Sequence, residues 1–287
     1  MTNVTFTQIT IVGTGLIGGS FALAARRAGF TGKIVGCDRE AVLNKARDFG
    51  AIDRGVTSPE EAVKGSDLVV LATPVGSIID LIERIGPLVA AEALITDVGS
   101  TKMEIMARAR DVFGLNVNNR FLPGHPMAGK ENSGVEYADA DLFRDAVWLL
   151  TPFPGQDIAK PKLAGFTDLL SKFGARVLTF DPAEHDRVCS LVSHLPQMMS
   201  TAFASMLVEE LGDDPQAGAI GGRALREMTR IARSPYSMWR DIALTNSGNI
   251  QDALLKLEQK LAHIRESLRT RDLEEEFQKA HELGIKK

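Results

Sequence analysis

A glycine-rich turn between an apolar strand and a helix of small residues is the feature that most restricts how this chain can fold. Residues 9–12 are apolar, and the segment from Gly13 to Gly18 reads Gly-Thr-Gly-Leu-Ile-Gly. The first glycine permits a tight turn, the second lets the backbone approach a pyrophosphate, and the third lets the helix pack closely on the strand. This order predicts a dinucleotide site at the helix N-terminus. We expect that site to include Gly13, Thr14, Gly15, Leu16, Ile17 and Gly18.

A second predicted strand, residues 33–37, ends at an acidic residue that strengthens this prediction. Asp38 lies twenty positions after Gly18, where a carboxylate can accept hydrogen bonds from the adenosine ribose hydroxyls. Because a carboxylate there would repel a ribose phosphate, we predict NAD as the cofactor in preference to NADP. The neighbouring Arg39 has two interpretations: it stacks on adenine or pairs with a phosphate, or it is a solvated surface charge.

Composition limits the classes of partner. The chain of 287 residues is 44% hydrophobic, and its net charge of −4 gives no basic face for nucleic acid. No apolar run reaches the roughly 18 residues of a membrane span, and no signal sequence opens the chain. We therefore predict a cytoplasmic protein that binds neither nucleic acid nor membrane. No metal site is predicted, because Cys37 and Cys189 show no ligand spacing to a histidine and the five histidines are scattered.

Strand and helix patterns alternate as far as Phe180, which predicts an α/β fold with a Rossmann-type doubly wound parallel sheet. Further strands are expected at residues 68–72, 94–97, 120–122, 147–151 and 176–180, all in one sheet. Two helix starts fit a capping box, one from Ser58 to Glu61 and one from Thr101 to Glu104.

An N-cap followed by proline at Asp181-Pro182 begins a segment without strand patterns, so the rest is predicted to be an all-helical C-terminal domain. We divide the chain into a dinucleotide-binding domain, residues 1–180, and a helical substrate-binding and dimerisation domain, residues 181–287. The helical part carries more apolar residues than one layer on a sheet could bury. A homodimer interface is favoured, and a self-contained helical subdomain is the alternative.

The carboxyl ends of the parallel strands should gather the reactive groups on one rim, because ligands of open α/β sheets bind there. Thr73 and Pro74 follow one strand, and Ser100 follows the next. Ser100 is interpreted either as a helix cap or as a hydroxyl that hydrogen-bonds a substrate alcohol, and a serine can do both. His125, before Pro126, is predicted to end a strand and act as the base that takes an alcohol proton.

Two polar groups of the helical third are candidate substrate-binding residues. Ser190, Ser193, His194 and Gln197 form one stripe on an otherwise apolar helix that Pro196 should kink. A solvated face is one interpretation, and a face directed at the site is favoured because Lys and Glu would be ordinary on an exposed surface. Arg223, Arg226 and Arg230 line one side of a later helix, where a guanidinium could clamp a carboxylate. Trp239 is interpreted as a core residue, and Asp241 as a group that orients an arginine.

Taken together, five motifs resemble those of the prephenate and arogenate dehydrogenases of tyrosine biosynthesis. They are Gly13-x-Gly15-x-x-Gly18, Asp97-Val98-Gly99-Ser100, Gly124-His125-Pro126-Met127-Ala128-Gly129, Ser193-His194-Leu195-Pro196, and Thr229-Arg230-Ile231-Ala232 followed by Met238-Trp239-Arg240-Asp241. The resemblance implies NAD-dependent oxidative decarboxylation, in which hydride leaves the hydroxyl-bearing ring carbon and loss of carbon dioxide aromatises the ring. It implies a homodimer through the helical domain. It also implies that His125 is the base, that Ser100 supports it, and that Arg230 pairs with a substrate carboxylate.

Lys130 and Glu131, which directly follow the histidine motif, are also predicted to bind substrate. Gln197 stands where many prephenate-specific members carry a second histidine. An amide can donate to the keto group of prephenate or accept from the ammonium of arogenate. Prephenate is the first prediction, and arogenate or dual specificity is the alternative.

Two other functions are considered. A β-hydroxyacid dehydrogenase would be expected to use a lysine on a helix as its acid or base, and the histidine motif argues against it. A non-catalytic dinucleotide sensor would have no need for Ser100, His125 and Arg230 together.

Overall fold

The computed structural model describes residues 6–130, 132–212 and 220–283. A six-stranded parallel sheet forms its first layer, in the order β3-β2-β1-β4-β5-β6. The strands are β1 (Gln8–Val12), β2 (Lys33–Cys37), β3 (Arg54–Val56), β4 (Leu68–Leu71), β5 (Leu94–Asp97) and β6 (Phe121–Leu122). Strands β4 and β5 are buried along their whole length, which is typical of a parallel sheet covered on both faces. The predicted Rossmann-type fold is confirmed.

Helices cover both faces of this sheet and connect its strands. They are α1 (Leu16–Arg27), α2 (Glu40–Asp48), α3 (Pro59–Ala62), α4 (Val75–Ile85), α5 (Met103–Phe113) and α6 (Val117–Arg120). The side chains of α4 and α5 pack in one apolar cluster on one face, and those of α1 pack in a second cluster on the other face. The core therefore lies in two layers, one on each side of the sheet.

A second sheet of three strands corrects the prediction that a single sheet continues to Phe180. It contains β7 (Gly124–Pro126), β8 (Val147–Leu150) and β9 (Arg176–Thr179), with β7 antiparallel to β8. The chain leaves the first sheet because Pro123 has no N–H to continue the ladder and the Gly124 N–H donates to Asp97 Oδ1 at 3.2 Å. As a result, His125 is the middle residue of β7, a strand of the second sheet.

An aromatic cluster holds the second sheet against the first layer. The ring of Phe21, on α1, lies 6.1 Å from that of Trp148 and 5.1 Å from that of Phe173. Helix α7 (Pro161–Lys172) covers the cluster and contributes Phe166. This packing stabilises the position of β8, and through β8 the position of β7 and His125.

The two predicted capping boxes have different outcomes. Ser58 caps α3, since its Oγ accepts the Glu61 N–H at 3.3 Å. The prediction for Thr101 was wrong: its hydroxyl bonds Thr245 Oγ1 at 2.7 Å, and α5 begins only at Met103 without a cap of its own. The Ser100 side chain does not cap this helix either. The amides at its start are bonded to Asp186, a residue distant in sequence.

Within the described residues, every regular element after Phe180 is helical, as predicted. The helices are α8 (Pro182–Cys189), α9 (Leu195–Leu211), α10 (Gly222–Thr229), α11 (Tyr236–Thr245), α12 (Ser247–Glu266) and α13 (Asp272–His281). Asp181 caps α8 through hydrogen bonds from the amides of Ala183 and Glu184, as expected. None of the described helices is long and apolar enough to cross a membrane.

The predicted kink near Pro196 takes the form of a π-helical turn. This turn, Ser190–His194, joins α8 to α9, and Pro196 lies in the first turn of α9. Because proline has no N–H to donate to the preceding turn, the backbone hydrogen-bonding pattern changes just before it. His194, in this turn, and Gln197, just after it, are buried rather than facing solvent; they are 1% and 4% exposed.

Asp241, on α11, joins the helical part to the nucleotide-binding sheet. Its Oδ2 accepts the Gly76 N–H at 3.0 Å, in the first turn of α4, and its Oδ1 accepts from the adjacent Arg240. A carboxylate at a helix N-terminus satisfies an orphan amide and interacts favourably with the helix dipole. The expectation that Asp241 orients an arginine covers only half of its contacts.

We predict that Asp241→Ala lowers the free energy of unfolding by about 1–2 kcal/mol, because the Gly76 amide loses its cap. Thermal unfolding followed by circular dichroism would show a lower Tm. Asp252→Ala is the matched control, since Asp252 is exposed on α12, and its Tm should stay at the wild-type value. Equal Tm values for the two variants would show that the contact does not stabilise the structure.

Candidate active site

A crevice opens at the carboxyl ends of β1, β4 and β5, where the sheet meets β7 and α11. It encloses a cavity of about 390 Å³. Residues predicted from the sequence that line it are Gly15, Leu16, Ile17, Thr73, Pro74, Ser100, His125 and Lys130. The structure therefore brings the glycine-rich turn, the residues after β4 and β5, and the predicted base to one place.

The glycines of the turn meet the requirements of a close phosphate approach. Gly13 has φ +94°, and a Cβ there would lie 2.4 Å from the carbonyl oxygen of Ala72. A Cβ on Gly18 would lie 2.0 Å from the Gly13 carbonyl oxygen, so only glycine lets α1 pack against the turn. At Gly15 a Cβ would meet no atom within 4 Å, which places that backbone against the open crevice.

One end of the crevice continues into a recess lined by Gly13, Asp38, Arg39 and Thr73. Asp38 Oδ2 accepts the Thr14 N–H and Oδ1 accepts the Arg39 N–H, each at 2.8 Å. Oδ2 also accepts from the Thr14 hydroxyl at 3.4 Å, whereas Oδ1 keeps a further lone pair that can accept from a ribose hydroxyl. Thr73 Oγ1 is buried without a hydrogen-bond partner among the described residues, which suits a polar ligand in this recess.

His125 is 7% exposed and borders the crevice from strand β7. Burial in the protein interior, followed by the nearby His185 and Lys102, holds the pKa of this imidazole well below its usual value of 6.5. The ring is therefore neutral near pH 7, which is the form that can accept a proton. Its Nδ1 lies 2.9 Å from His185 Nε2, so the ring is held from behind.

Ser100 follows β5 and lies at the same crevice, half-buried. Its hydroxyl makes no hydrogen bond within the described part of the chain, and it does not cap α5. The helix-cap interpretation was thus wrong, because Asp186 occupies the amides at that helix start. The hydroxyl can donate to or accept from a group bound in the crevice.

A buried ion pair that the sequence did not predict lies next to the segment that carries His125, the predicted base. The Lys102 and Asp97 side chains are both fully buried, and Lys102 Nζ donates to Asp97 Oδ2 and, at 2.6 Å, to the Gly124 carbonyl oxygen. Asp97 also accepts the amides of Gly99 and Gly124. Every partner of the pair is a backbone group next to Ser100 or His125, so the pair fixes the two segments relative to each other.

A second recess of about 360 Å³ adjoins the crevice and shares Gly129 and Lys130 with it. It contains four of the predicted substrate-binding residues, which are Lys130, Ser193, Gln197 and Arg230. Lys130 Nζ contacts Asp139 Oδ2 at 3.2 Å, and Gln197 Nε2 donates to Thr201 Oγ1. Glu131, the remaining predicted residue of this motif, lies outside the described residues. Of the other arginines, Arg223 is exposed beside Glu227.

Behind this recess, two ring nitrogens are buried without a hydrogen-bond partner in the part of the chain that the structure describes. They are His194 Nε2 and Trp239 Nε1, and the two rings meet edge to face at 5.9 Å. Asn246 Nδ2 lies 3.2 Å from His194 Nδ1, and burial lowers the pKa of His194 to about 4. Trp239 is half-buried and lines the recess, so its interpretation as a core residue was incomplete. Ser190 is buried and donates to the Arg187 carbonyl oxygen, away from the recess.

The prediction that neither cysteine has ligand spacing to a histidine was wrong. His185 and Cys189 lie one turn apart on α8, and ligand atoms of these two residues and His125 lie within 4.8 Å of one another. The i, i+4 spacing of His185 and Cys189 was the signal that could have revealed the cluster. The separation of 2.9 Å between the two imidazole nitrogens is that of a hydrogen bond. Burial raises the pKa of the Cys189 thiol to about 12, so it stays protonated.

Two family models match the chain consecutively. One, described as the nucleotide-binding domain of prephenate dehydrogenase, matches residues 21–179, and one described as its dimerization domain matches residues 181–282. Among solved structures, prephenate dehydrogenase from Aquifex aeolicus, in complex with hydroxyphenyl propionate and NAD+, has a TM-score of 0.86 and 34% identity. The match covers 99% of this chain and 98% of that one.

Characterised relatives agree with the family models. Prephenate dehydrogenase of Bacillus subtilis is 35% identical over 94% of this chain, and that of Lactococcus lactis is 35% identical over 83%. The match spans 72% of the Bacillus protein and 65% of the Lactococcus protein. A cyclohexadienyl dehydrogenase of Zymomonas mobilis is 31% identical, over 84% of this chain and 82% of that protein. With two family models covering most of its length, the chain belongs to the prephenate dehydrogenase family.

Proposed function

We propose that this protein catalyses the NAD-dependent oxidative decarboxylation of prephenate to 4-hydroxyphenylpyruvate, a step of tyrosine biosynthesis. The observation that carries the proposal is the neutral imidazole of His125 at the crevice beside the glycine-rich turn. A dehydrogenase needs a proton acceptor next to the carbon that loses hydride, and this ring supplies one. Family membership identifies the cyclohexadienyl acid as the substrate class.

The residues around the turn fit NAD. The pyrophosphate would lie against the amides at the start of α1, where Gly15 leaves the backbone open, and Asp38 would hold the ribose. Arg39 lines the recess that would hold the adenosine, and the buried Thr73 hydroxyl can hydrogen-bond the cofactor there. When bound, NAD supplies a hydride acceptor. The Asp38 carboxylate disfavours the extra phosphate of NADP.

The protein's part in the reaction is proton transfer and orientation. As hydride leaves the ring carbon that bears the hydroxyl, the hydroxyl proton passes to His125. The bond to the ring carboxylate breaks, carbon dioxide leaves, and that electron pair completes the aromatic ring. The resulting phenolate oxygen takes the proton back from His125 to give the phenol. Ser100 is proposed to hydrogen-bond the same hydroxyl and hold it toward the imidazole.

The adjoining recess is proposed to bind the carboxylates and side chain of the substrate. Arg230 is suited to a bidentate contact with a carboxylate, and Ser193 and Lys130 are proposed to complete the polar surface. Glu131 stays a predicted substrate-binding residue outside the described part of the chain. His194 is proposed to bind the substrate by a hydrogen bond at its buried Nε2. A surface of this composition binds an anion of small size, since Arg and Lys contribute charge and the hydroxyl and amide groups contribute orientation.

Gln197 keeps arogenate open as a second substrate. The amide lines the recess and is neutral at every pH of interest. It donates to a keto group or accepts from an ammonium, whereas a protonated histidine would repel the ammonium. The Zymomonas relative, named for cyclohexadienyl substrates in general, is consistent with dual specificity.

A homodimer formed through the helical domain, residues 181–287, is part of the proposal. Its helices expose large apolar side chains, among them Val208, Leu244 and Phe277, which are 69%, 68% and 72% exposed. Burying such side chains against a second copy would stabilise both. The family model that matches this region is described as a dimerization domain. A cytoplasmic location and the lack of a nucleic-acid partner stay predictions.

Replacing the base should strongly reduce turnover without loss of cofactor binding. For His125→Asn we expect kcat to fall about 10²–10⁴-fold, with the Kd for NAD nearly unchanged, because the amide cannot take the proton. The rate of NADH formation with prephenate and with arogenate measures the loss of kcat in the variant and shows which of the two acids the protein prefers. His263→Asn, on the exposed face of α12, is the control. Cofactor binding without turnover of either acid by the wild-type chain would instead indicate a dinucleotide sensor.

The lowered pKa of His125 predicts an unusual pH profile. A base whose pKa lies well below 6.5 stays neutral as the pH falls through that value. We therefore expect kcat/KM to remain level between about pH 7.5 and 6 and to decline only at lower pH. Initial rates across this range, with circular dichroism to confirm folding at each pH, provide the test. An acid limb centred at or above pH 6.5 would contradict the buried environment of the ring.

The charge at Asp38 should set cofactor preference. In Asp38→Asn the amide oxygen can still accept the Thr14 N–H, while the repulsion of a ribose phosphate is lost. We expect the ratio of kcat/KM for NADP to that for NAD to rise about tenfold, the effect of roughly 1.4 kcal/mol. Asp48→Asn, an exposed acidic residue on α2, should leave the ratio unchanged. An unaltered ratio in Asp38→Asn would assign cofactor choice to other residues.

A further inference from the structure

His185 and Asp186, two adjacent residues at the start of the helical domain, form a buried chain of hydrogen bonds behind His125. The Asp186 Oδ1 atom lies 2.8 Å from His185 Nδ1, and His185 Nε2 lies 2.9 Å from His125 Nδ1. His185 is fully buried and Asp186 is 1% exposed, so solvent does not compete for these contacts. Neither residue lines the crevice, and His185 contacts the His125 ring at Nδ1.

We infer that His185 is a positioning residue that, held by Asp186, fixes His125 in the tautomer protonated at Nδ1 and so leaves Nε2 as the proton acceptor. The inference rests on the proposed function, because it concerns how the base of that reaction is prepared. His185 touches neither substrate nor cofactor. It acts only through the proton that it accepts from His125.

The direction of the first hydrogen bond follows from the surroundings of Asp186. Its two oxygens accept the backbone N–H groups of Lys102, at 2.8 Å, and Met103, at 3.0 Å. Amide donors reach both oxygens at the N-terminus of α5, so the carboxylate acts as an acceptor at both of them. An ionised carboxylate only accepts hydrogen bonds, so His185 Nδ1 carries the hydrogen and donates it.

The second hydrogen bond is then determined. A neutral imidazole with hydrogen on Nδ1 has a lone pair on Nε2, so His185 Nε2 is an acceptor. The thiol of Cys189, which stays protonated because burial raises its pKa to about 12, is 3.6 Å from the same Nε2 and can donate to it as well. His125 must therefore supply the hydrogen from its own Nδ1.

The consequence appears at the crevice. A neutral His125 has one ring hydrogen, and with that hydrogen on Nδ1 its Nε2 has a free lone pair. Nε2 has no hydrogen-bond partner within the described residues, and the ring lines the crevice. In the opposite tautomer Nε2 would carry a hydrogen, and the ring could not take the proton of the substrate hydroxyl.

The test compares two substitutions of His185 with opposite hydrogen-bonding capacity. In His185→Leu no acceptor faces His125 Nδ1, so we expect both tautomers and a fall in kcat of about 10–100-fold, with the KM for NAD little changed. In His185→Gln the amide oxygen can accept the same hydrogen, and most of the lost kcat should return. A role limited to packing would not favour Gln over Leu, because Leu preserves the apolar volume. His263→Leu is the matched control.

Nitrogen NMR of the wild-type dimer, labelled with ¹⁵N-histidine, reads the tautomer directly. His125→Asn identifies the signals of His125 among the five histidines. We expect an Nδ1-protonated ring in the wild-type protein and in His185→Gln, and a mixture in His185→Leu. A ring protonated at Nε2 in the wild-type protein overturns the inference, and so does an unchanged kcat in a folded His185→Leu.

The NMR spectrum distinguishes a failure of the inferred role of His185 from a failure of the proposed function. If neither cyclohexadienyl acid is oxidised, the proposed function fails, whatever tautomer the spectrum shows. If turnover is normal and His125 is protonated at Nε2, only the role of His185 fails. Should His185→Leu not fold, the wild-type spectrum and His185→Gln still decide the question.

Discussion

The carboxylate of Asp186 is the contact on which the arrangement of the site depends. It accepts the first amides of α5, a helix of the nucleotide-binding domain, although it belongs to the helical domain. The same carboxylate orients His185, which contacts His125. The Asn246 side chain also holds Asp186 in place, because its Nδ2 donates to the Asp186 backbone carbonyl oxygen at 2.8 Å. One buried carboxylate thus links the contact between the two domains to the position of His125, the proposed base, and Asp241 makes a comparable contact at α4.

Burying this many polar groups requires that nearly all be paired. The Lys102–Asp97 pair is fully buried, and breaking such a pair by removing one partner typically costs 3–5 kcal/mol. Its remaining hydrogen bonds go to the backbone of Gly99 and Gly124, which adjoin Ser100 and His125. The positive charge of Lys102 also contributes to the low pKa of His125. The Lys102–Asp97 pair therefore both stabilises this region and lowers the pKa of His125.

The sequence predicted the features that local patterns encode. The glycine-rich turn, the apolar strands, the cap at Ser58 and the proline at the start of α8 each depend on residues close together in the chain. The gathering of Ser100 and His125 on one rim was also predictable, because it follows from the rule for parallel strands. Motif resemblance supplied the family, which the comparisons confirm.

Features that depend on distant contacts were missed. The Thr101 capping box failed because Asp186, 84 positions after Lys102, supplies the cap. The second sheet was not predicted, since a short strand of three residues beside a proline has no periodicity to detect. His185 and Lys102 were overlooked because a histidine on a helix and a lysine near a helix start are ordinary in sequence. Only the fold shows that both side chains are fully buried.

The central claim is that His125 accepts the substrate hydroxyl proton at Nε2 while its other nitrogen is held from behind. A high-resolution crystal structure of the protein with NAD and a phenolic product analogue tests it most directly. The account predicts the phenolic oxygen within about 2.6–3.2 Å of His125 Nε2, on the side of the crevice that faces the nicotinamide. A ligand hydroxyl bonded only to other groups, with His125 turned away from it, would contradict the account.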